Sequence, residues 1–387
     1  MIKDFNFYAP TRVVFGRESE EKLPGLIKQY GGTRVLVHYG GGSARRSGLL
    51  DKVEKMLGDA GISFVELGGV VPNPLLSKVR EGIALCQREN VDFILAVGGG
   101  SVIDSSKAIG YGVGYQGDVW DFWDGKAVPQ SCLPIGVMLT IPAAGSEMSS
   151  SCVITNDDGM LKRGVNSDLS RCKFAIMNPE RTYTLPAYQT AAGATDIMMH
   201  TMERYFSKYE DAMLTDAIAE ALLRTVIEAT PVVLHQPEDY KHRAAIMWAS
   251  SLSHNDLTEC GTEKDFACHK LEHELSGMFG VTHGAGLAAI WGSWARYVLD
   301  KHSARFEKFA RNVMGVEGVT KGIEAVEQFF KSIGMPISIP ELVGRKVTNE
   351  EIDALVDKCS RGGKMNIGAM EVLAPDDMKK IYQKANI

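Results

Sequence analysis

The hydrophobic period of this chain changes part-way along, and that change constrains the fold more than any single motif. In the first half, short runs rich in β-branched residues recur: "TRVVF" (Thr11–Phe15), "RVLVHY" (Arg34–Tyr39), "SFVEL" (Ser63–Leu67), "FILAV" (Phe93–Val97), "IGVMLTI" (Ile135–Ile141) and "KFAIM" (Lys173–Met177). Helical patterns such as Ser47–Ala60 and Leu76–Glu89 fit between them. Strand–helix alternation predicts a parallel sheet covered by helices on both faces. After "MNPERTYTLP" (Met177–Pro186) strands are hard to find. Long Ala- and Leu-rich helical patterns take over, as in "TDAIAEALLRTVIEAT" (Thr215–Thr230) and "SARFEKFARNVMG" (Ser303–Gly315). The boundary is expected near Thr182–Leu185, giving an α/β domain over residues 1–183 and an all-α domain over 184–387.

The composition narrows the partners. Lys and Arg number 42 against 48 Asp and Glu, a net charge of −6, which argues against a nucleic-acid or anionic-membrane surface. No apolar run approaches the roughly 20 residues needed to span a bilayer. The N-terminus, "MIKDFNFYAP", lacks a basic segment followed by an apolar one, so no signal peptide is expected. The seven cysteines include no C-x-x-C pair, which speaks against a disulfide framework or a cysteine zinc knuckle. Scattered core thiols in a reducing cytoplasm are expected.

Two glycine-rich turns each follow a strand and precede a helix. "VHYGGGSARRSG" carries Gly40, Gly41, Gly42 and Ser43, and "LAVGGGSVIDSSK" carries Gly99, Gly100, Ser101 and Asp104. Such a turn lets backbone N–H groups approach a phosphate. The dinucleotide spacing G-x-G-x-x-G fails in both, with Arg45 and Ile103 where the third glycine belongs. Either turn alone could be a tight structural connection, but two in one sheet point to a nucleotide. Ser43, Arg45 and Arg46 offer a hydroxyl and positive charge suited to a 2′-phosphate, which favours NADP(H) over NAD(H). The opposite reading makes Glu66, at the end of the next strand, the acid that meets a ribose 2′-hydroxyl.

The second half opens with "GATDIMMHTMERYF", in which Asp196 and His200 stand four residues apart. On a helix that spacing puts both side chains on one face. His269 and His273 share it in "FACHKLEHELSGMFGVTHGAG", and His283 follows ten residues after His273. One carboxylate and several imidazoles form a ligand set for a divalent metal, from zinc to ferrous iron. Spacing alone does not say which of the three histidines in this stretch bind it. His242 and His254 have no partner at ligand spacing and read as structural.

Taken together, "GGGSVIDSSK", "GATDIMMH" and "HKLEHELSGMFGVTHGAG" resemble the iron-containing alcohol dehydrogenase family, in particular its NADP(H)-dependent butanol dehydrogenase and broad aldehyde reductase branch. The likeness extends over the whole chain, including "FYAPTRVVFG", "VWDFW" and "AAGSEMSS". It implies an N-terminal dinucleotide-binding domain, a C-terminal helical metal- and substrate-binding domain, and a metal in the cleft. Carried over residue by residue, the implied ligands are Asp196, His200, His269 and His283. His273 falls on a non-ligand histidine near nicotinamide and substrate. Gly99, Gly100 and Ser101 map to the pyrophosphate turn, with Asp104 and Thr140 close to the cofactor. Gly40–Ser43 resembles the branch that takes NADP(H). One departure is Ala144, where the family often has threonine in "TGSE".

The resemblance implies Fe(II) or Zn(II), a homodimer sharing an N-terminal strand, and hydride transfer between NADP(H) and small to medium primary alcohols and aldehydes of the butanol/butanal type. Met148, Phe266 and Phe279 are expected to line an apolar substrate pocket. A dehydroquinate-synthase-like lyase of the same architecture is the first alternative. It needs Lys and Arg around a polyanionic substrate, whereas Asp196–Tyr205 and Phe266–Gly286 are dominated by Met, Phe, Leu and His. A non-catalytic metal- or nucleotide-binding subunit is the second.

Overall fold

The computed structural model describes residues 1–387. Its strands are β1 (Arg12–Phe15), β2 (Arg34–Gly40), β3 (Ser63–Val70), β4 (Phe93–Gly98), β5 (Ile135–Leu139), β6 (Ser151–Asn156), β7 (Leu161–Asn166) and β8 (Phe174–Met177). Among them run helices α1 (Leu23–Gln29), α2 (Ser43–Arg46), α3 (Leu49–Asp59), α4 (Leu76–Glu89) and α5 (Gly100–Gly112). The later helices are α6 (Ala187–Tyr205), α7 (Met213–His235), α8 (Tyr240–Ser253), α9 (Ala267–Phe279) and α10 (His283–Phe309). Four more complete the chain: α11 (Val319–Ser332), α12 (Ile339–Val343), α13 (Asn349–Cys359) and α14 (Pro375–Ala385). The residues divide into two compact units, Ala9–Thr184 and Leu185–Ile387 with Met1–Tyr8. The eight N-terminal residues join the helical unit through Lys3, whose N–H donates to the Gly261 carbonyl at 2.9 Å and whose Nζ pairs with Glu263 at 2.9 Å.

The first unit holds a six-stranded sheet in the order β1-β8-β5-β4-β2-β3, parallel throughout. Strand residues alternate between its faces. Val35, Val37, Leu95, Val97 and Ile176 pack against Leu23 and Ile27 of α1 and Leu50, Val53 and Leu57 of α3. His38 points the other way, and its Nε2 lies 2.8 Å from Ser105 Oγ on α5. The predicted strands and the Leu76–Glu89 helix are all present, with ends shifted by a few residues. An antiparallel hairpin, β6–β7, was not expected.

The second unit is helical around one extended core. Its centre is α6, in which every residue from Thr190 to Tyr205 is buried. A helix buried all round needs its polar groups satisfied internally. That requirement is what makes Thr195, Asp196, His200, Glu203 and Arg204 informative. "SARFEKFARNVMG" is helical as expected: it begins just after a break in helical geometry at His302 (φ −131°, ψ 25°) and its last turn is a π-helix over Ala310–Met314.

Candidate metal centre and nucleotide turns

In the first unit, β2 and β4 are neighbours, with Tyr39 opposite Val97. The chain leaves β2 toward β3 on one side and leaves β4 toward β5 on the other. Gly40–Ser43 and Gly99–Ser101 therefore follow adjacent strand ends, at the point where the strand order reverses. Open α/β sheets bind their ligands in such a crevice. Gly99 is required sterically, since a Cβ there would lie 2.1 Å from Ile141 Cγ2. Gly41 has open space instead, with nothing within 4 Å. Thr140 N donates to Gly98 O at 3.1 Å, which fixes Thr140 beside this turn.

Asp104 is engaged within the protein: Oδ1 accepts from Ser146 Oγ at 2.5 Å and Oδ2 from Val153 N at 2.9 Å. Buried Lys107 donates to the carbonyls of Ser146, Ser149 and Ser151 at 2.8, 2.9 and 2.7 Å. Together they tie the "AAGSEMSS" loop to α5, with Ala144 Cβ 3.1 Å from where a Gly100 Cβ would stand. In the other turn, the Arg46 guanidinium folds over Gly42, whose added Cβ would meet Nη1 at 2.7 Å. Arg45 reaches Glu66 at 2.6 Å and Asp51 at 3.0 Å, and also pairs with Glu54.

The second unit gathers the acid and imidazoles. Asp196 and His200 share one face of α6, His269 sits in the first turn of α9, and His283 opens α10. Ligand atoms of Asp196, His200 and His269 all lie within 4.8 Å of one another. Asp196 Oδ1 is 3.7 Å from His269 Nε2, 3.7 Å from His283 Nε2 and 3.1 Å from His200 Nδ1. His273 forms a second group with Glu272 and His283, its ring centroid 5.7 Å from that of His283.

Burial and charge oppose each other here. Burial raises the Asp196 carboxyl, but the His200 and His283 imidazoles overcome it and hold the group well below the carboxylate range. Burial lowers His200 to about 4 despite Asp196. Burial also lowers His269, but Glu203 and Asp196 carry it up to about 9. Asp196 Oδ1 and His269 Nε2 are buried with no hydrogen-bond partner. An unsatisfied buried oxygen facing an unsatisfied buried nitrogen is costly in an empty core. One carboxylate oxygen converging with imidazole nitrogens suits a divalent transition metal. The residues fit such an ion.

Three residues near this cluster were not identified from the sequence. Glu203, wholly buried, bonds His269 Nδ1, and Glu272, equally buried, bonds His283 Nδ1. Glu203 lies seven residues after Asp196 on the same helix face, a signal hidden by how common that spacing is. His254, read as structural, has its ring 4.2 Å from His200 and its Nδ1 3.1 Å from Arg204 Nη2. Nothing in its sequence neighbourhood marks it, because the α8–α9 connection brings it in.

Known proteins agree with this architecture. The family model "Iron-containing alcohol dehydrogenase" matches residues 10–179, and "Fe-containing alcohol dehydrogenase family, C-terminal" matches 190–386. NADH-dependent butanol dehydrogenase A of Clostridium acetobutylicum is 39% identical, covering 98% of this chain and 99% of that protein. NADPH-dependent aldehyde reductase YqhD of Escherichia coli is 34% identical over 99% of this chain and 100% of its own length. The crystal structure of NADH-dependent butanol dehydrogenase A from Thermotoga maritima superposes with a TM-score of 0.96 at 38% identity, covering 100% of this chain and 99% of that one. The chain belongs to the iron-containing alcohol dehydrogenase family. It is an NAD(P)-dependent oxidoreductase acting on CH–OH groups.

Proposed function

We propose that this enzyme interconverts small to medium primary aldehydes and alcohols, of the butanal/butanol type, at a divalent metal held by Asp196, His200, His269 and His283. The observation that carries the reading is the pair of unsatisfied buried atoms, Asp196 Oδ1 and His269 Nε2, with His283 Nε2 3.7 Å from the same oxygen. Such an ion, Fe(II) or Zn(II), supplies Lewis-acid polarisation of a carbonyl, and a bound nicotinamide supplies or accepts the hydride. The chain's residues do the rest. Buried carboxylates fix the imidazoles, and the Phe266 ring, its centroid 4.7 Å from that of His269, shields that imidazole from water. His273, half-buried beside His283, moves a proton to or from the alcohol oxygen.

For the nucleotide, the Gly40–Ser43 and Gly99–Ser101 turns hold the phosphates, with Asp104 and Thr140 shaping the second turn. Ser43, Arg45 and Arg46 as a 2′-phosphate site give a preference for NADP(H). The ties of Arg45 to Glu66, Asp51 and Glu54 favour a second reading, NAD(H), because Arg45 must leave carboxylates to meet a phosphate. Of the three relatives named above, two are NADH-dependent and one is NADPH-dependent. Phe5, Phe7 and Tyr8 are exposed ahead of the edge strand β1, which supports a homodimer joined through this segment. All seven cysteines are free thiols, which supports a working place in the reducing cytoplasm. Initial rates of NADPH and NADH oxidation with butanal test the reading. Turnover with cofactor consumed in proportion to alcohol supports it; product formed without net cofactor consumption moves the assignment to the lyase.

A further inference from the structure

The Asp196 cluster is surrounded by more negative charge than its four proposed ligands account for. Glu203 and Glu272 are both wholly buried, and each is directed at the Nδ1 of a different imidazole. A carboxylate bonded to Nδ1 keeps a proton on that nitrogen, so Nε2 is the nitrogen left to give up its proton and bind a cation. In both histidines that nitrogen lies 3.7 Å from the same atom, Asp196 Oδ1. Two independent carboxylate–imidazole pairs thus aim at one point. Arg204, on the same helix as Glu203, pairs with Glu259 at 2.9 Å and Asp256 at 3.7 Å.

The two carboxylates are held differently. Glu203 also accepts the Cys268 N–H at 2.6 Å and the His269 N–H at 3.3 Å, so it anchors the start of α9 together with the ring. Glu272 is fixed by the Ser276 hydroxyl one helical turn along. It also occupies the space above Gly286, where an added Cβ would stand 2.7 Å from Oε1 and 2.8 Å from Cγ. Gly286 therefore leaves room for the Glu272 carboxylate to reach His283.

We propose that Glu203 and Glu272 are the positioning residues of this centre: each holds one imidazole with Nε2 aimed at Asp196 Oδ1, and together they set how tightly a divalent cation is held. This rests on the metal-centre reading above. Removing such outer partners lowers metal affinity about 10–100-fold in general. Glu272 carries the test, because Glu203 also supports the α9 backbone.

The experiment is a Co(II) titration of chelator-stripped full-length protein, with dissociation constants taken by chelator competition and the visible absorption of the bound ion recorded. Parent, Asp196→Asn, Glu272→Gln, Glu272→Leu and Gly286→Ala are compared, with thermal melting as the folding control. Glu272→Leu is expected to weaken Co(II) binding by about 10–100-fold and alter the spectrum. Glu272→Gln, which keeps an acceptor, recovers part of the loss, and Gly286→Ala weakens binding by crowding the carboxylate. If folded Glu272→Leu and Gly286→Ala bind Co(II) with parental affinity and spectrum while Asp196→Asn does not, the positioning roles are wrong and the metal centre stands. If Asp196→Asn binds as the parent does, or the parent binds nothing, the metal-centre reading falls and the positioning roles fall with it.

Discussion

His273 is the residue whose proposed role separates chemistry from metal holding. It stands beside His283 but outside the tight group of Asp196, His200 and His269. His273→Ala is expected to lower kcat by about 10²–10⁴-fold, the usual contribution of a positioned proton-transfer group. Metal content, measured by elemental analysis, should stay at the parental level. Parental kcat in a metal-replete His273→Ala protein removes it from the reaction. His38 illustrates a different consequence of burial. Its Nδ1–H donates to Leu67 O at 2.8 Å and its Nε2 accepts from Ser105 Oγ at 2.8 Å, so the neutral ring is satisfied. Burial lowers it to about 4, against the pull of the Leu67 carbonyl. An unfolded histidine binds its proton near pH 6.5, so the stability His38 contributes is present above that pH. It is lost as pH falls toward 4, by about 3 kcal/mol across the window. Urea midpoints at pH 7 and pH 5 should therefore fall further apart in the parent than in His38→Gln. An equal drop in both proteins contradicts this.

At the scale of elements, the α9–α10 turn is what brings the proposed metal centre together. His269 and His283 converge because Gly280, in the left-handed region at φ +66°, ends α9 and turns the chain back. Gly284 then lets the start of α10 touch α6, since an added Cβ would lie 2.0 Å from Ala192 O. Gly284→Ala must push His283 away from Asp196, and a displacement near 1 Å is expected to cost on the order of 100-fold in kcat/KM. Butanal reduction by the folded variant measures it; parental activity shows that α10 can shift without moving the site. The sequence made the strong elements legible. Periodicity located the six strands of the main sheet and the helix over Leu76–Glu89, and the i, i+4 spacing put Asp196 and His200 on one face. The β6–β7 hairpin was missed although its turn, "DDG" at Asp157–Gly159, is a hairpin signal between alternating strands. Glu203, Glu272 and His254 were missed for another reason. Polar residues at helical spacing are ordinary until tertiary packing buries them, and only the fold shows that α6 has no exposed face between Thr190 and Tyr205.

For the molecule as a whole, the order of motifs along the chain carried more than any motif did alone. Neither glycine turn meets the dinucleotide spacing, yet the strand order places both at the neighbouring ends of β2 and β4, where a parallel sheet takes its ligand. Cofactor preference is the feature the sequence left most open, because Arg45 is cationic in the sequence and caged by carboxylates in the fold. The proposed centre makes turnover depend on one divalent ion held by Asp196 and three imidazoles. Its most direct test is to titrate chelator-stripped enzyme with Fe(II) or Zn(II) under anaerobic conditions while following butanal reduction. Stripped protein is expected to show no turnover, then a linear recovery that breaks at one equivalent, with no recovery in Asp196→Asn. Full turnover in metal-free protein, or recovery in Asp196→Asn equal to the parent, would contradict it.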